Sequence, residues 1–407
     1  MQKRVLLSIL LIAILSACGI RSAFILKKTT PPELNEKTVV LNYIENRSAI
    51  ILPVKINNKK YRFVYDTGAQ ATLISKEIMP RLPADRDDIS LKKKSHINIT
   101  DVRNSVQKLK VSVLDSLQLS PDLTYTGVGV LVYDFNKTPA FSCIQIDGVI
   151  GTNVIRQNNW KIDFDNHKVE VSGLEKEVKK TDKTIALPFS QDHRGVPYVD
   201  LFMNETEQQF MVDIGKNSDL ISLSSELPFD EYQHKTVGHS SFGLFGKNKQ
   251  DTITYGSANL TDSAQFEIKN IRLTHATHTH SLIGVGFLHK FYHTATFDYK
   301  NNQILLEKKE NVNREIMNYP VSVMVGKNNL TISSKDINLS DIQIGDTVVG
   351  INKVDYDGSN TCELVEEVKN SRKNGNPIIL RIKRLGVMSE FTFSLYPISN
   401  PFVPLKK

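Results

Sequence analysis

With 407 residues the chain is long enough for two or three domains, and 40% apolar with 23% charged residues is ordinary for a globular protein. The net charge of +7 comes without a dense Lys/Arg cluster interleaved with aromatics. Its longest basic run, Lys92-Lys93-Lys94, reads as a solvated loop, so no nucleic-acid partner is expected. No phosphate loop, dinucleotide fingerprint or Ser/His/Asp arrangement appears, so no cofactor is expected either.

Residues 1–17 read as a targeting segment: Lys3 and Arg4, then an apolar run from Val5 to Leu15 too short to span a bilayer comfortably. It ends in Leu15-Ser16-Ala17-Cys18-Gly19, which resembles the bacterial lipobox. The resemblance implies lipidation of Cys18 and a diacyl anchor in the bacterial cell envelope. Gly19 stands where an Asp retention signal would be, which favours the outer membrane. No acidic export run follows, which favours its periplasmic side. Residues 18–38, with Pro31 and Pro32, form a tether. With Cys18 lipidated, Cys143 and Cys362 remain. They are far apart and fall in different domains, so no disulfide and no metal-type cysteine set is expected.

The next segments alternate with period two and predict strands. Ile50 to Ile56 is one strand, Asn57-Asn58-Lys59-Lys60 a hairpin turn, and Tyr61 to Tyr65 the return strand. That strand runs into Asp66-Thr67-Gly68-Ala69, so a carboxylate is presented at a turn backed by apolar residues, where the glycine permits a tight reversal. Taken alone, the tripeptide is also a common polar turn. Ala71 to Ser75 begins a further strand, and Val111, Val113, Val128, Val130 and Val132 continue the alternation. Val149-Ile150-Gly151 opens a short helix, and Trp160 to Val171 is a hairpin around Asn166-His167.

The same organisation then repeats. Phe210-Met211-Val212-Asp213-Ile214-Gly215 lies over Phe63-Val64-Tyr65-Asp66-Thr67-Gly68, Leu220-Ile221-Ser222 over Leu73-Ile74-Ser75, and Leu282-Ile283-Gly284 over Val149-Ile150-Gly151. Phe297-Asp298 lies over Phe164-Asp165, followed by a turn at Asn301-Asn302. Two homologous β lobes, 39–176 and 180–312, are implied. Each would offer one Asp at a strand-to-glycine turn. Two carboxylates about 3 Å apart cannot both ionise, so such a pair shares one proton. One carboxylate is then a base towards water and the other a donor to a carbonyl.

On these residues the chain resembles an aspartic peptidase of the retropepsin/pepsin type, in the bacterial form with two retropepsin-like lobes in one chain. The resemblance implies a mainly β fold of two β-barrel lobes related by a pseudo-twofold, with Asp66 and Asp213 catalytic. It makes Thr67, Gly68, Ala69 and Gly215 the active-site turn, and peptide or protein the substrate. It requires no metal and no cofactor. The second lobe departs from the pattern. Ile214 replaces the threonine that bonds across the lobe interface, and Lys216 replaces Ala69, placing a cation near the pair. A non-catalytic, peptide-binding pseudopeptidase is therefore the alternative, and pairing of first lobes from two chains a third reading. Flaps are expected at Ser240 to Gly246 and at Ile97 to Val106. His275, His278 and His280 read as strand histidines rather than metal ligands, since no cysteine or spaced carboxylate completes a set.

From residue 318 the pattern changes. Ser340 to Asn352, with its Gly345-Asp346 turn, resembles the PDZ pattern; Cys362 to Arg372 has helical spacing, and Ile378–Lys383 and Phe391–Leu395 alternate as strands. A small α+β PDZ-like domain over 318–398 is expected to bind extended peptide by strand addition. Its nearest candidate for a carboxylate-binding loop, Val323-Met324-Val325-Gly326, matches poorly. The full reading is an envelope-facing, lipid-anchored aspartic endopeptidase with a peptide-recognition domain.

Overall fold

The computed structural model describes residues 25–397 apart from 28, 47–48, 80–95, 102–104, 142, 225–230, 240–241, 248–249, 263–266, 277–279, 314 and 327–328. The targeting segment, Cys18 and His278 lie outside the described residues.

Local sequence chemistry sets the first hairpin. Ala49–Ile56 pairs with Lys59–Tyr65, and Ile56 faces Lys59 across a two-residue turn. Asn57 (φ 50°) and Asn58 (φ 62°) both occupy the left-handed region, which suits a turn whose twist matches the strands. Phe63, Tyr65, Ile51 and Leu52 are fully buried. Lys59–Tyr65 then pairs in parallel with Gly148–Ile150, whose other edge takes Thr72–Ser75. The second lobe repeats this. Thr206–Asp213 runs parallel to Ser281–Gly284, and Ser222 of the strand Ile221–Leu223 pairs with Leu282. The chain is mainly β, with two lobes of matching topology.

A six-stranded antiparallel sheet joins the lobes. It runs Thr38–Asn42, Lys168–Ser172, Asn159–Asp163, Tyr292–Asp298, Gln303–Lys308, Thr184–Pro188, three strands from each half. At its centre Trp160 faces Phe297 and Ile162 faces Ala295, all fully buried. One continuous apolar core runs from lobe 1 through this sheet into lobe 2. Area bookkeeping of a few kcal/mol per large buried side chain makes that seam a principal source of interlobe cohesion.

The C-terminal segment has its own core of Tyr319, Leu330, Ile332, Val348, Ile351, Leu364, Leu380 and neighbours. The helix Thr361–Lys373 packs against Val321–Val325, and the hairpin Ile378–Arg384/Val387–Phe393 closes the unit. Val323 to Val325 is strand rather than loop, and Gly326 N donates to Asn329 O at 2.8 Å.

This segment is joined to both lobes. Leu330–Asp336 extends lobe 2's sheet by pairing with Glu231–Gly238, Thr236 facing Asp336. Towards lobe 1, the Pro139–Phe141 turn packs beside Val321–Val325, and Cys143 is disulfide-bonded to Cys362, their Cα atoms 5.3 Å apart. The expectation of no disulfide is corrected. A sequence separation of 219 residues carried no information on distance, because the C-terminal unit folds back over lobe 1. A crosslink closing so long a loop restricts the unfolded chain strongly. Replacing both residues by serine is expected to cost about 2–5 kcal/mol, read as a lower denaturant midpoint. An unchanged midpoint would mean that packing alone holds the C-terminal unit.

Candidate active site

Each acidic turn is held by the interlock of strand and glycine segment within its own lobe. Asp66 N donates to Ile150 O at 3.1 Å, and Thr152 N donates to Ala69 O at 2.8 Å. Asn153 accepts from both the backbone N and the hydroxyl of Thr72, and its amide donates to Gly129 O. Gly151 passes so close to Ala69 and Ala71 that a Cβ would lie 2.4–2.8 Å from their backbone atoms. Lobe 2 repeats the device, with Val285 N donating to Lys216 O at 2.8 Å and Gly284 packed against Lys216.

These two turns meet across the lobe interface. The Asp66 and Asp213 side chains are hydrogen-bonded to each other. Asp66 Oδ1 accepts from Gly68 N at 2.8 Å and Ala69 N at 3.1 Å; Asp213 Oδ1 accepts from Gly215 N at 2.8 Å. The two glycines trade partners. A Cβ on Gly68 would stand 2.7–3.0 Å from the Asp213 carboxyl, and one on Gly215 would stand 2.5–2.7 Å from the Asp66 carboxyl. Each glycine therefore makes room for the other lobe's carboxylate, which fixes both as glycine.

The interface bond that the sequence left in doubt is made from one side. Thr67 Oγ1 donates to Val212 O at 2.6 Å and accepts from Ile214 N at 3.0 Å, fully buried. Ile214 offers no hydroxyl in return, and its side chain joins the shared apolar core. Lys216 is placed beside the pair as expected, but its ammonium turns back to donate to Leu220 O at 2.5 Å.

Burial pushes the Asp66 carboxyl well above the usual carboxylate range; the Asp213 charge and their mutual hydrogen bond add to this, while the Gly68 and Ala69 amides oppose it. Burial also raises Asp213, against the hydrogen bond from Asp66, the Lys216 cation and the backbone amides. Both carboxyls are thus pushed up together, and the proton they share belongs to the pair. Burial lowers the Lys216 ammonium to about 8, against the attraction of Asp213 and Asp219.

The described parts of the two flap segments expected from the sequence lie in corresponding hairpins, His96–Thr100/Val106–Ser120 in lobe 1 and Glu231–Gly238/Asp251–Thr261 in lobe 2, while 102–104, Ser240 and Ser241 lie outside the described residues. Sequence reasoning did not anticipate that the lobe 2 tip, Leu244-Phe245, docks on lobe 1 at Asp101, Tyr133 and Thr138. No local signal marks that contact. His275 and His280 form no metal cluster, and none occurs among the described residues.

Residues 52–154 match the family model described as aspartyl protease, a span that covers Asp66 and the Gly151 interlock. Among solved structures, the chain is similar to a retropepsin-like aspartic protease from Rickettsia conorii at 16% identity, covering 35% of this chain and 92% of that one, with a TM-score of 0.25. No curated protein matches the sequence.

Thr67→Val keeps the shape but strips both bonds, leaving the Ile214 N–H without its acceptor and Val212 O without its hydroxyl donor. A loss of about 2–4 kcal/mol in unfolding free energy is expected by chemical denaturation. A loss below about 0.5 kcal/mol would show that the interface does not rely on this hydroxyl.

Proposed function

We propose that the protein is an aspartic endopeptidase acting through Asp66 and Asp213. The observation that carries this is the hydrogen-bonded pair of carboxyls at the lobe interface, each seated against the opposite lobe's glycine. The ionised carboxyl of the pair takes a proton from a water; the protonated one donates to the scissile carbonyl as the water oxygen bonds to its carbon. The resulting gem-diol collapses as the carboxyl that took the water proton passes it to the amide nitrogen, the C–N bond breaks, and a gem-diol hydroxyl returns one proton to the dyad, leaving a carboxylic acid and an amine. Proton affinities belong to the pair.

The C-terminal unit is proposed to be PDZ-like and to recognise extended peptide. Val321–Val325 is paired on one edge by Leu330–Asp336, and the helix Thr361–Lys373 lies alongside, an arrangement suited to strand addition. The proposed setting is the bacterial envelope, with Cys18 lipidated at the outer membrane and the domains in the periplasm. The Cys143–Cys362 disulfide supports an oxidising compartment.

Cleavage of a denatured protein or peptide library between about pH 3 and 7 tests the reading. Asp66→Asn and Asp213→Asn should each lower turnover at least about a hundredfold. Loss with Asp66→Asn alone would point instead to first lobes paired between chains, and no cleavage by the wild type to the pseudopeptidase alternative. Lys216→Met removes a cation that favours the ionised pair, so both limbs of the pH–rate profile should move to higher pH. A shift to lower pH, or none, would show that the Lys216 charge does not reach the dyad.

A further inference from the structure

The tip of lobe 2's flap holds its place on lobe 1 by the contacts a peptide ligand would use. Phe242–Gly243 pairs with Gly246–Lys247, leaving Leu244-Phe245 as the turn. The carbonyl of Leu244 receives hydrogen bonds from Tyr133 Oη at 2.8 Å and Thr138 Oγ1 at 2.7 Å. The N–H of Phe245 donates to Asp101 Oδ2 at 3.2 Å. These groups belong to one peptide unit, so lobe 1 binds both its acceptor and its donor. The Phe245 ring stands 5.8 Å from that of Tyr133, and both tip side chains pack against a buried cluster that contains Leu73, Tyr133 and Val149 and against which Ala69, Ile97 and Ile99 also pack. Ala69 is the residue whose N–H holds Asp66, so the cluster borders the carboxylate pair.

The lobe 1 side of the contact is built rather than incidental. Tyr133 and Thr138 are each 2% exposed, and their hydroxyl oxygens stand 2.7 Å apart, so with one proton each they either both serve the Leu244 carbonyl or one serves the other. Asp101 is fixed at the end of its strand, where its Oδ1 accepts from Ser105 N at 3.1 Å. If the tip leaves, the buried hydroxyl pair loses its carbonyl acceptor and Asp101 loses an N–H donor, a cost that a second peptide unit would offset. An apolar molecule without a carbonyl would not.

We propose that Asp101, Tyr133 and Thr138 form a peptide-unit subsite on lobe 1, and that Leu244-Phe245 is its internal occupant. The ligand class is an extended peptide with an apolar residue followed by an aromatic one, and it binds by displacing the tip. The docked tip also ties the two flap hairpins together, so the occupied subsite is the closed form of the cleft. In kinetics the proposal rests on the peptidase reading; in binding it stands apart from it.

The test uses a fluorescent octapeptide with a central Leu-Phe and a control with Ala-Ala there, on the full chain carrying Asp66→Asn so that nothing is cut. Adding Phe245→Ala should tighten binding of the Leu-Phe peptide about tenfold, as for a subsite open about one-tenth of the time while the tip is docked. The gain should be absent for the Ala-Ala peptide, and absent again when Tyr133→Phe and Thr138→Val are added, with thermal melts confirming folding. Thr138→Val alone, the milder change, should lose part of the gain. Unchanged or weaker binding with Phe245→Ala overturns the proposal, as does no binding to any variant or equal gain for both peptides. With Asp66 restored, Phe245→Ala should lower KM and leave kcat unchanged. Absence of any cleavage alongside the tenfold gain would refute the peptidase reading and leave the subsite standing.

Discussion

Two carboxyl groups held face to face and largely out of water are costly in a folded protein, and most of this architecture serves to hold them there. An isolated ionised carboxylate in such a place would neutralise itself. Here one proton is shared, and backbone amides from Gly68, Ala69 and Gly215 compensate the remaining charge. Those amides point correctly only because each turn is locked against a glycine segment, Gly151 in one lobe and Gly284 in the other. The pair then exists only because the lobes are fused along a buried six-stranded seam.

The second lobe has drifted from the first in a way that keeps this arrangement. Ile214 gives up a hydroxyl but gains burial in the common core, and Thr67 alone serves both backbone groups of the interface. Lys216 keeps its backbone role in the interlock while adding a cation, so the two carboxyls are no longer equivalent. The pseudo-twofold is a symmetry of backbone more than of electrostatics.

Much of this was legible in the sequence where the cause was local. Apolar alternation running into Asp-x-Gly, and its return with the same companions, is written in neighbouring residues; so is the turn at Asn57-Asn58. The pairing of Asp66 with Asp213 followed from the repeat together with the family resemblance. What could not be read depends on chain reversal over long distances. Nothing near Cys143 points to Cys362, nothing in Glu231–Gly238 announces a further strand from the C-terminal unit, and Leu244-Phe245 reads as an ordinary turn until Tyr133 and Asp101 are beside it. In each case the deciding neighbour is about a hundred residues or more away.

The Cys143–Cys362 bond has a topological result. It encloses all of lobe 2 in one covalent ring, since that lobe lies wholly between the two cysteines. A backbone cut anywhere in lobe 2, including one in its flap, would linearise the ring without separating the fragments. Both Asp66, outside the ring, and Asp213, inside it, would remain in a single covalent molecule. A chain closed in this way tolerates one nick in the half of the site that the sequence repeat supplied second.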